Sequence, residues 1–112
     1  MVRKQIEAIG GNMKISFDYD GTLTKSNVQH LAEFLLKHGN DVFIISARNK
    51  TMGGPVMEMA QKLNIPESNV FLTGSNKQKL ETIVDKKIDI HFDNNKNVVD
   101  ALNMGEMNAI LI

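Results

Sequence analysis

Short apolar runs alternate with segments of helical periodicity along most of the chain, and this alternation limits the fold more than any other feature of the sequence. The runs are rich in β-branched residues and bounded by polar ones, which is typical of buried strands. The predicted strands are Met13–Phe17, Asp41–Ser46, Val70–Thr73, Ile88–Phe92 and Met107–Ile112. The predicted helices are Asn27–His38, Pro55–Leu63, Lys77–Lys86 and Lys96–Asn103.

The order of these elements predicts how they pack. Asn27 is expected to cap the first helix, and Gly39 to lie just past its C-terminal end. Single helices between successive strands imply crossover connections, so we expect an α/β fold with a parallel sheet and helices on both faces. Such sheets bind ligands outside the carboxyl ends of their strands.

Length and composition narrow the class of protein. The 112 residues fit one domain, 1–112, in which residues 1–11 form either an N-terminal helix or a loose arm. No apolar stretch is long enough to cross a membrane and none resembles a secretory signal, so we expect no membrane partner. The absence of cysteine excludes disulfides and thiolate zinc sites and fits a cytoplasmic protein. Basic and acidic residues are equal, at 13 each, which argues against a nucleic-acid coat protein.

The segment DYDGTLT, directly after the first predicted strand, carries the strongest chemical signal. Asp18 and Asp20 lie two residues apart, and Gly21 lets the chain turn sharply after them. Carboxylates this close repel each other unless a cation or a proton lies between them, and Mg²⁺ typically takes one or two carboxylates together with phosphate oxygens. The pattern favours a Mg²⁺-assisted phosphate site over a turn of solvated acids. An EF-hand fails on spacing, because Leu23 and Gln29 stand where its glycine and its last glutamate belong.

Further polar residues follow the later strands. The Ser46 hydroxyl closes the second strand, where it can donate to a phosphate oxygen, and Asp93 follows the fourth as either a metal ligand or a helix cap. Lys79 and Lys77 begin the helix after the third strand, where a positive charge opposes the helix dipole and so indicates a function. Cations outnumber acids in the loops after the strands, which predicts a positive rim suited to an anionic substrate. The cations of this rim are Lys25, Arg48, Lys50, Lys77, Lys79 and Lys96.

Residues 13–112 resemble the haloacid dehalogenase (HAD) superfamily of phosphohydrolases. The motif DYDGTLT after an apolar strand carries the resemblance, and Ser46, Lys79 and Asp93 follow it in the family's order. The resemblance implies a HAD-type, Rossmann-like three-layer α/β/α sandwich with a mainly parallel sheet of about five strands. It also implies a Mg²⁺-dependent phosphomonoester hydrolase that works through an aspartyl-phosphate intermediate.

The resemblance assigns a role to each residue of these motifs. Asp18 would be the nucleophile, and Asp20 would protonate the leaving oxygen and then deprotonate the attacking water. Mg²⁺ would be held by Asp18, the backbone carbonyl of Asp20, and Asp93. Arg48 and Lys77 would be further contacts for the substrate. The phosphate-binding residues would be Ser46, Lys79, Gly21 and Thr22.

Two motifs leave alternatives open. The family's fourth motif often carries two acids, whereas here Asp93 is followed by asparagines, of which Asn94 or Asn97 would assist the metal. Either Lys79 or Lys77 would be the phosphate-binding lysine, and the spacing before Asp93 favours Lys79.

The chain has no room for the cap domain that many members of the family insert. Asp20 is followed within seven residues by the predicted helix at Asn27, and Thr73 reaches Lys79 in six. The site is therefore expected to be open, unless a homo-oligomer partner or the N-terminal segment covers it. An open site suits a phosphorylated small molecule, a nucleotide or a nucleic-acid end.

Two other classes of function compete with a phosphatase. A catalytically silent HAD-like binding module would explain the asparagine-rich fourth motif. A phosphoacceptor signalling domain is expected to have a similar size and sheet order, but it places its accepting aspartate after the third strand. Here that strand runs into the segment 70–74, which holds no acid.

Overall fold

The structure is a computed structural model that describes residues 10–112, so the prediction for the N-terminal segment falls mainly on residues 1–9, outside the described ones. Within the described range the strands are β1 (Lys14–Phe17), β2 (Asp41–Ser46), β3 (Val70–Leu72), β4 (Ile90–Asp93) and β5 (Asn108–Leu111). The α-helices are α1 (Ser26–Lys37), α2 (Gly54–Leu63), α3 (Asn76–Asp85) and α4 (Lys96–Met104).

The strands form one sheet in the order β3-β2-β1-β4-β5, and every neighbouring pair is parallel. This confirms the predicted α/β class and the parallel sheet. In the register of the central strand β1 with its neighbour β4, Ser16 lies opposite His91, and Phe17 lies opposite Phe92. Side chains alternate between the faces of a sheet, so these two neighbouring pairs point to opposite faces.

The two faces are covered by different helices. Phe17, Ile44 and Phe92 pack with Leu35 of α1 and Val56 of α2 on one face. On the other, Phe43, Ile45 and Ala109 pack with α3 and α4. Burying each such aliphatic or aromatic side chain stabilises the fold by about 1.5–3 kcal/mol. The result is the expected Rossmann-like sandwich of three layers.

Two connections are short. One leads from the turn after β1 into α1, and the other leads from β3 into α3. Only Thr24 and Lys25 lie in the first connection, and residues 73–75 form the second. No additional domain is therefore inserted at either place within residues 10–112. In this same range, none of the helices is both long and apolar enough to span a bilayer.

The predicted start of the first helix is wrong by a short distance. The helix begins at Ser26, so Asn27 lies in its first turn and does not cap it. The residue before the helix is Lys25, whose backbone N–H donates to the Thr22 carbonyl at 3.1 Å and whose carbonyl accepts from the Gln29 N–H at 3.0 Å. The preceding turn thus leads directly into the helix, and no side-chain cap is used.

The other predicted ends of helices and strands agree more closely with the structure. Gly39 follows the end of α1 with a φ of 84° and donates its N–H to the Leu36 carbonyl at 3.1 Å, as predicted. Strand β4 begins at Ile90 and not at Ile88. The reason is that the Ile88 N–H donates to the Ile83 carbonyl at the end of α3 and so belongs to the helix terminus.

Candidate active site

The candidate active site lies at the carboxyl edge of the sheet, between β1 and β4. The strand order changes direction there, because the chain places β2 and β3 on one side of β1 and β4 and β5 on the other. Parallel sheets bind ligands at such a switch point, because the connections on its two sides leave a crevice between them. A cavity of about 380 Å³ opens there. It is lined by Asp18, Asp20, Ala47, Asn76, Lys79, Asp93, Asn94 and Asn95. The acids and Lys79 were predicted; Ala47, Asn76 and Asn95 were not, because small and amide side chains carry no chemical signal of their own.

The turn Tyr19–Leu23 places the two predicted catalytic acids. Asp18 follows β1, donates its backbone N–H to the Phe92 carbonyl at 2.9 Å, and accepts the hydrogen bond of 3.2 Å that closes the turn. Gly21 has a φ of 70°, in the left-handed region that favours glycine. A Cβ at this position would also overlap the side chain of Asn94. Both the backbone conformation and the available space therefore favour glycine here.

Lys79 lies between two carboxylates in the interior of the site. Its ammonium donates to Asp18 Oδ1 at 2.8 Å and to Asp93 Oδ2 at 2.7 Å, and the residue is only 2% exposed. Ser75 caps α3, since its hydroxyl accepts the Gln78 N–H at 3.1 Å. This cap starts α3 at the mouth of the cavity, and Lys79, one turn further on, reaches both acids.

The two carboxylates beside Lys79 differ in their surroundings. Burial raises the pKa of Asp18 above its usual value, and the nearby charge of Lys79 acts against this rise. Burial acts to raise the pKa of Asp93 as well, but hydrogen bonds from His91 and Lys79 outweigh it and lower that pKa to about 2. Asp93 Oδ1 also accepts the Asn95 N–H at 2.9 Å. With both acids ionised, these two carboxylates and Lys79 carry one excess negative charge.

A fully buried serine and histidine extend this cluster beneath the cavity. His91 Nε2 lies 2.9 Å from Asp93 Oδ2, and His91 Nδ1 lies 2.7 Å from Ser16 Oγ. We call Ser16, His91, Asp93, Lys79 and Asp18, in this order of contact, the buried polar chain. Burial lowers the pKa of His91, although its hydrogen bond with Asp93 acts in the opposite direction, so the ring is neutral at neutral pH. In the described residues, every buried side-chain nitrogen and oxygen has a hydrogen-bond partner.

Neither Ser16 nor His91 was predicted as a site residue. A signal was nevertheless present. Ser16 and Asp18 alternate along β1, as His91 and Asp93 do along β4, so each pair faces the same side of the sheet. A polar residue at an inward position of an apolar strand, two residues before a candidate site acid, indicates a polar contact beneath the site.

Asp20 points away from the buried polar chain and pairs with Arg48. The guanidinium donates from Nε to Asp20 Oδ2 at 3.0 Å and from Nη2 to Oδ1 at 2.9 Å. It also donates from Nη1 to the Met52 carbonyl at 2.8 Å and lies 5.1 Å from the centre of the Tyr19 ring. The hydrogen bonds from Arg48 lower the pKa of Asp20, whose side chain is 56% exposed. The arrangement keeps Asp20 ionised at the rim of the cavity.

Asn94 is the residue whose amide faces the first two acids. With its nitrogen toward them, the amide donates to Asp18 Oδ2 at 3.2 Å and to the Asp20 carbonyl at 3.1 Å. With its oxygen toward them, it accepts from Thr22 Oγ1 at 3.5 Å, and three oxygens of different groups converge. No three His, Cys, Asp or Glu side chains among residues 10–112 form a group that could hold a metal. A cation here would therefore depend on carbonyl and amide oxygens.

The remaining predicted residues lie around the cavity without lining it. Ser46 is buried, and its Oγ accepts the Arg48 N–H at 3.1 Å, so its hydroxyl proton is left to donate elsewhere. Thr22 is buried under the turn. Lys77 and Asn97 are exposed and lie outside the cavity lining.

The expected positive rim is wrong in part. Lys79 is buried between Asp18 and Asp93, and Arg48 is paired with Asp20. Lys96 forms an ion pair of 2.6 Å with Asp100 on α4. Three of the six cations of the expected rim are thus paired with acids.

A scan of the chain against protein-family models found no match, and neither did a search of curated proteins.

Proposed function

We propose that the protein is a Mg²⁺-dependent phosphomonoester hydrolase of the HAD type, which works through an aspartyl-phosphate formed on Asp18. The observation that carries this proposal is the placement of the Asp18 carboxylate. One of its oxygens is 2.8 Å from the Lys79 ammonium, and the other is 3.2 Å from the Asn94 amide, which also contacts the Asp20 carbonyl. A carboxylate that attacks a phosphate dianion needs positive charge nearby to offset the repulsion.

The oxygens beside Asp18 fit a Mg²⁺ ion. Octahedral Mg²⁺ with bonds of about 2.0–2.1 Å places neighbouring ligand oxygens about 3.0 Å apart. The Asn94 amide atom that faces the site lies 3.2 Å from Asp18 Oδ2 and 3.1 Å from the Asp20 carbonyl. We propose these three groups as ligands, with the Asn94 amide turned so that its oxygen, in place of the nitrogen that donates to Asp18 and Asp20, faces the ion. Asp93, which the family resemblance implied as a ligand, is proposed instead to hold Lys79, because both of its oxygens already accept hydrogen bonds.

In the proposed first step, Asp18 Oδ1 attacks the phosphorus, and the bond from phosphorus to the ester oxygen breaks. Bound Mg²⁺ would offset the charge of the phosphoryl oxygens. Lys79 uses two of its three N–H groups on Asp18 and Asp93, so the third is left for a phosphoryl oxygen. Ser46 and the Gly21–Thr22 backbone are proposed as further phosphate contacts. The leaving oxygen takes its proton from Asp20. Because Arg48 keeps the free carboxyl ionised, this requires the ion pair to open when substrate binds and Asp20 to take up a proton from solvent before the bond breaks.

In the proposed second step, water attacks the phosphorus of the aspartyl-phosphate. Asp20 accepts the proton of this water, the bond from phosphorus to Asp18 breaks, and inorganic phosphate leaves. The lowered pKa of Asp20 suits this half of the reaction, because the base must be ionised before the water can lose its proton.

The open cavity supports a broad choice of substrate. A phosphorylated small molecule, a nucleotide or a nucleic-acid end would reach Asp18 without displacing a cap. A homo-oligomer partner that covers the cavity, and a cytoplasmic location consistent with the lack of cysteine, remain part of the proposal.

Asp18→Asn tests the proposed nucleophile. We expect it to abolish hydrolysis of phosphomonoesters, because an amide cannot form the acyl phosphate, while Mg²⁺ and phosphate-analogue binding survive in part. Turnover is measured with Mg²⁺ on phosphorylated metabolites and on oligonucleotides with 3′- or 5′-phosphates, and binding by calorimetry. The matched control is Asp100→Asn, which removes only a surface ion pair with Lys96 and is expected to keep full activity. Full activity of Asp18→Asn would contradict the mechanism.

The same screen decides between the competing functions. A silent binding module would bind phosphate analogues with wild-type residues in place but hydrolyse none of these esters. A phosphoacceptor signalling domain is disfavoured by the sheet itself. Its flavodoxin-like order is 2-1-3-4-5, whereas the order here is 3-2-1-4-5, so the expected similarity in sheet order is wrong.

A further inference from the structure

The buried polar chain contains a histidine that the proposed reaction does not use. His91 is fully buried on the face of the sheet that α3 and α4 cover, and it contacts neither the cavity nor Asp18. Its two ring nitrogens each have one polar partner, Ser16 Oγ at 2.7 Å and Asp93 Oδ2 at 2.9 Å. Burying an imidazole with both nitrogens matched fixes the orientation of the ring.

The partners of the ring determine which nitrogen carries the proton. Asp93 is an ionised carboxylate and can only accept, so His91 Nε2 must carry the hydrogen that points to it. In the neutral ring Nδ1 is then unprotonated and accepts the hydroxyl hydrogen of Ser16. Asp93 thereby selects the tautomer, and the Ser16 hydroxyl stabilises it by donating to Nδ1. The pairing of β1 with β4, in which Ser16 lies opposite His91, supplies this contact.

His91 and Lys79 donate to the same oxygen of Asp93, Oδ2, at 2.9 and 2.7 Å. The Asn95 N–H holds the other oxygen at 2.9 Å. Three donors leave the Asp93 carboxylate one orientation, and that orientation directs the Lys79 ammonium to Asp18. Without His91, Oδ2 loses one of its two donors and the carboxylate can rotate about its Cβ–Cγ bond, which takes Lys79 with it.

We propose that His91 is a positioning residue, which acts through Asp93 to hold the Lys79 ammonium against the Asp18 carboxylate, and that Ser16 stabilises the tautomer that makes this possible. The consequence for catalysis rests on the proposed function. A small displacement of a charged group costs more in the transition state than in substrate binding, so the effect falls on kcat.

Two substitutions of His91 separate positioning from simple packing. His91→Gln carries an amide nitrogen near the place of Nε2 and can still donate to Asp93. His91→Asn is shorter, reaches only the place of Nδ1, and cannot. We expect His91→Gln to keep kcat within about threefold of wild type, and His91→Asn to lower kcat by tenfold or more, at about the same KM in both. A purely structural role would lower the activity of both variants in proportion to their thermal stability, and that result would overturn the proposal.

Nitrogen-15 NMR supplies readouts that do not depend on activity. In the wild-type protein, we expect His91 to be neutral, with its proton on Nε2 and an unprotonated Nδ1. We also expect the ammonium of Lys79 to give a slowly exchanging signal in wild type and His91→Gln, and to lose it in His91→Asn. A proton on Nδ1, or an unchanged Lys79 signal in His91→Asn, would overturn the proposal whatever the activity.

The Ser16→Ala variant keeps the proposal testable if His91→Asn does not fold, because it leaves every contact of Asp93 in place. When residue 91 is histidine, we expect Ser16→Ala to weaken the NMR signal of the Lys79 ammonium. In His91→Gln, which has no Nδ1 for Ser16 to contact, we expect Ser16→Ala to cause no further change. An equal effect in both backgrounds would show that Ser16 does not act through His91. If the wild-type protein hydrolyses no phosphomonoester, the proposed function fails, and the NMR measurements still decide the placement of Lys79.

Discussion

Lys79 and its two carboxylates form ion pairs in the interior, where charges are expensive to bury. Removing such groups from water costs several kcal/mol each, and their attraction repays this only when geometry and additional hydrogen bonds are good. Asp93 meets that condition with three donors, whereas Asp18 keeps one oxygen directed at the cavity. The two acids therefore have different tasks. Asp93 is held as a permanent anion, and Asp18 stays available for chemistry.

The stability that ionised Asp93 contributes is expected to depend on pH. Its pKa is about 2 in the folded protein, below that of an unfolded aspartate, so this contribution is complete above about pH 4 and is lost as the pH falls toward 2. We expect Asp93→Asn to lower the free energy of unfolding at neutral pH, and the difference from wild type to shrink by about 2 kcal/mol in acid. Urea unfolding at several pH values measures this. A difference independent of pH would contradict it, and Asp100→Asn serves as the exposed control.

Arg48 sets the protonation of Asp20 at the rim of the cavity. Because the hydrogen bonds of Arg48 lower the pKa of Asp20, Arg48→Ala is expected to raise it toward the ordinary value. In the proposed mechanism, hydrolysis of the aspartyl-phosphate needs ionised Asp20, so the rate of this step should fall as the pH drops through that pKa. The fall should begin at a higher pH in Arg48→Ala than in wild type. Arg48→Lys, which keeps the charge but not the two parallel hydrogen bonds, should lie between them. Identical pH profiles of wild type and Arg48→Ala would show that this step does not depend on the protonation of Asp20.

Among the elements, the turn Tyr19–Leu23 controls most of the site, because it fixes the Asp20 carbonyl and leaves space for Asn94. Gly21 and Gly39 offer a matched pair of substitutions by alanine. Both glycines have a positive φ, at 70° and 84°, so each substitution should lower the free energy of unfolding by about 1 kcal/mol. A Cβ meets the Asn94 side chain only at Gly21, whereas nothing lies within 4 Å of it at Gly39.

We expect Gly21→Ala to weaken Mg²⁺ binding at least tenfold, about 1.4 kcal/mol or more, because the new methyl group displaces the Asn94 amide. Gly39→Ala should leave Mg²⁺ binding unchanged. Titration of both variants with Mg²⁺ by calorimetry, alongside their unfolding in urea, separates the two effects. Equal Mg²⁺ affinity in the two variants would remove Asn94 from the proposed ligand set.

At this same scale, the strands and helices were predictable because their apolar periodicity reports burial directly. The first helix was predicted, but its start and its cap were not, since Lys25 enters it from a turn whose hydrogen bonds depend on the fold. Asp18, Asp20, Lys79 and Asp93 were found through their positions after strands. The pairing of Arg48 with Asp20, in contrast, depends on how two loops meet in space, which no local pattern contains.

At the scale of the whole molecule, the uncovered cavity predicts tolerance of large substrates. Within residues 10–112 no inserted domain lies over Asp18, so a phosphomonoester on a long peptide or oligonucleotide should be hydrolysed with a kcat/KM within about tenfold of the same group on a small molecule. The comparison uses one phosphate group on carriers of different length, at two protein concentrations. Strong exclusion of the long carriers would reveal a cover, and dependence on concentration would assign that cover to a second copy of the chain.

The pairing of Ser16 with His91 joins positions 75 residues apart in the sequence. Contacts of such high sequence separation form only after much of the chain has been ordered, because closing the intervening loop costs entropy first. A partly folded chain that lacks the β1–β4 pairing therefore has neither the held lysine nor the aligned acids. Any ion or phosphate that binds here binds the folded state alone. Its free energy of binding is then added to the stability of the entire sheet, in the amount RT ln(1 + [L]/Kd).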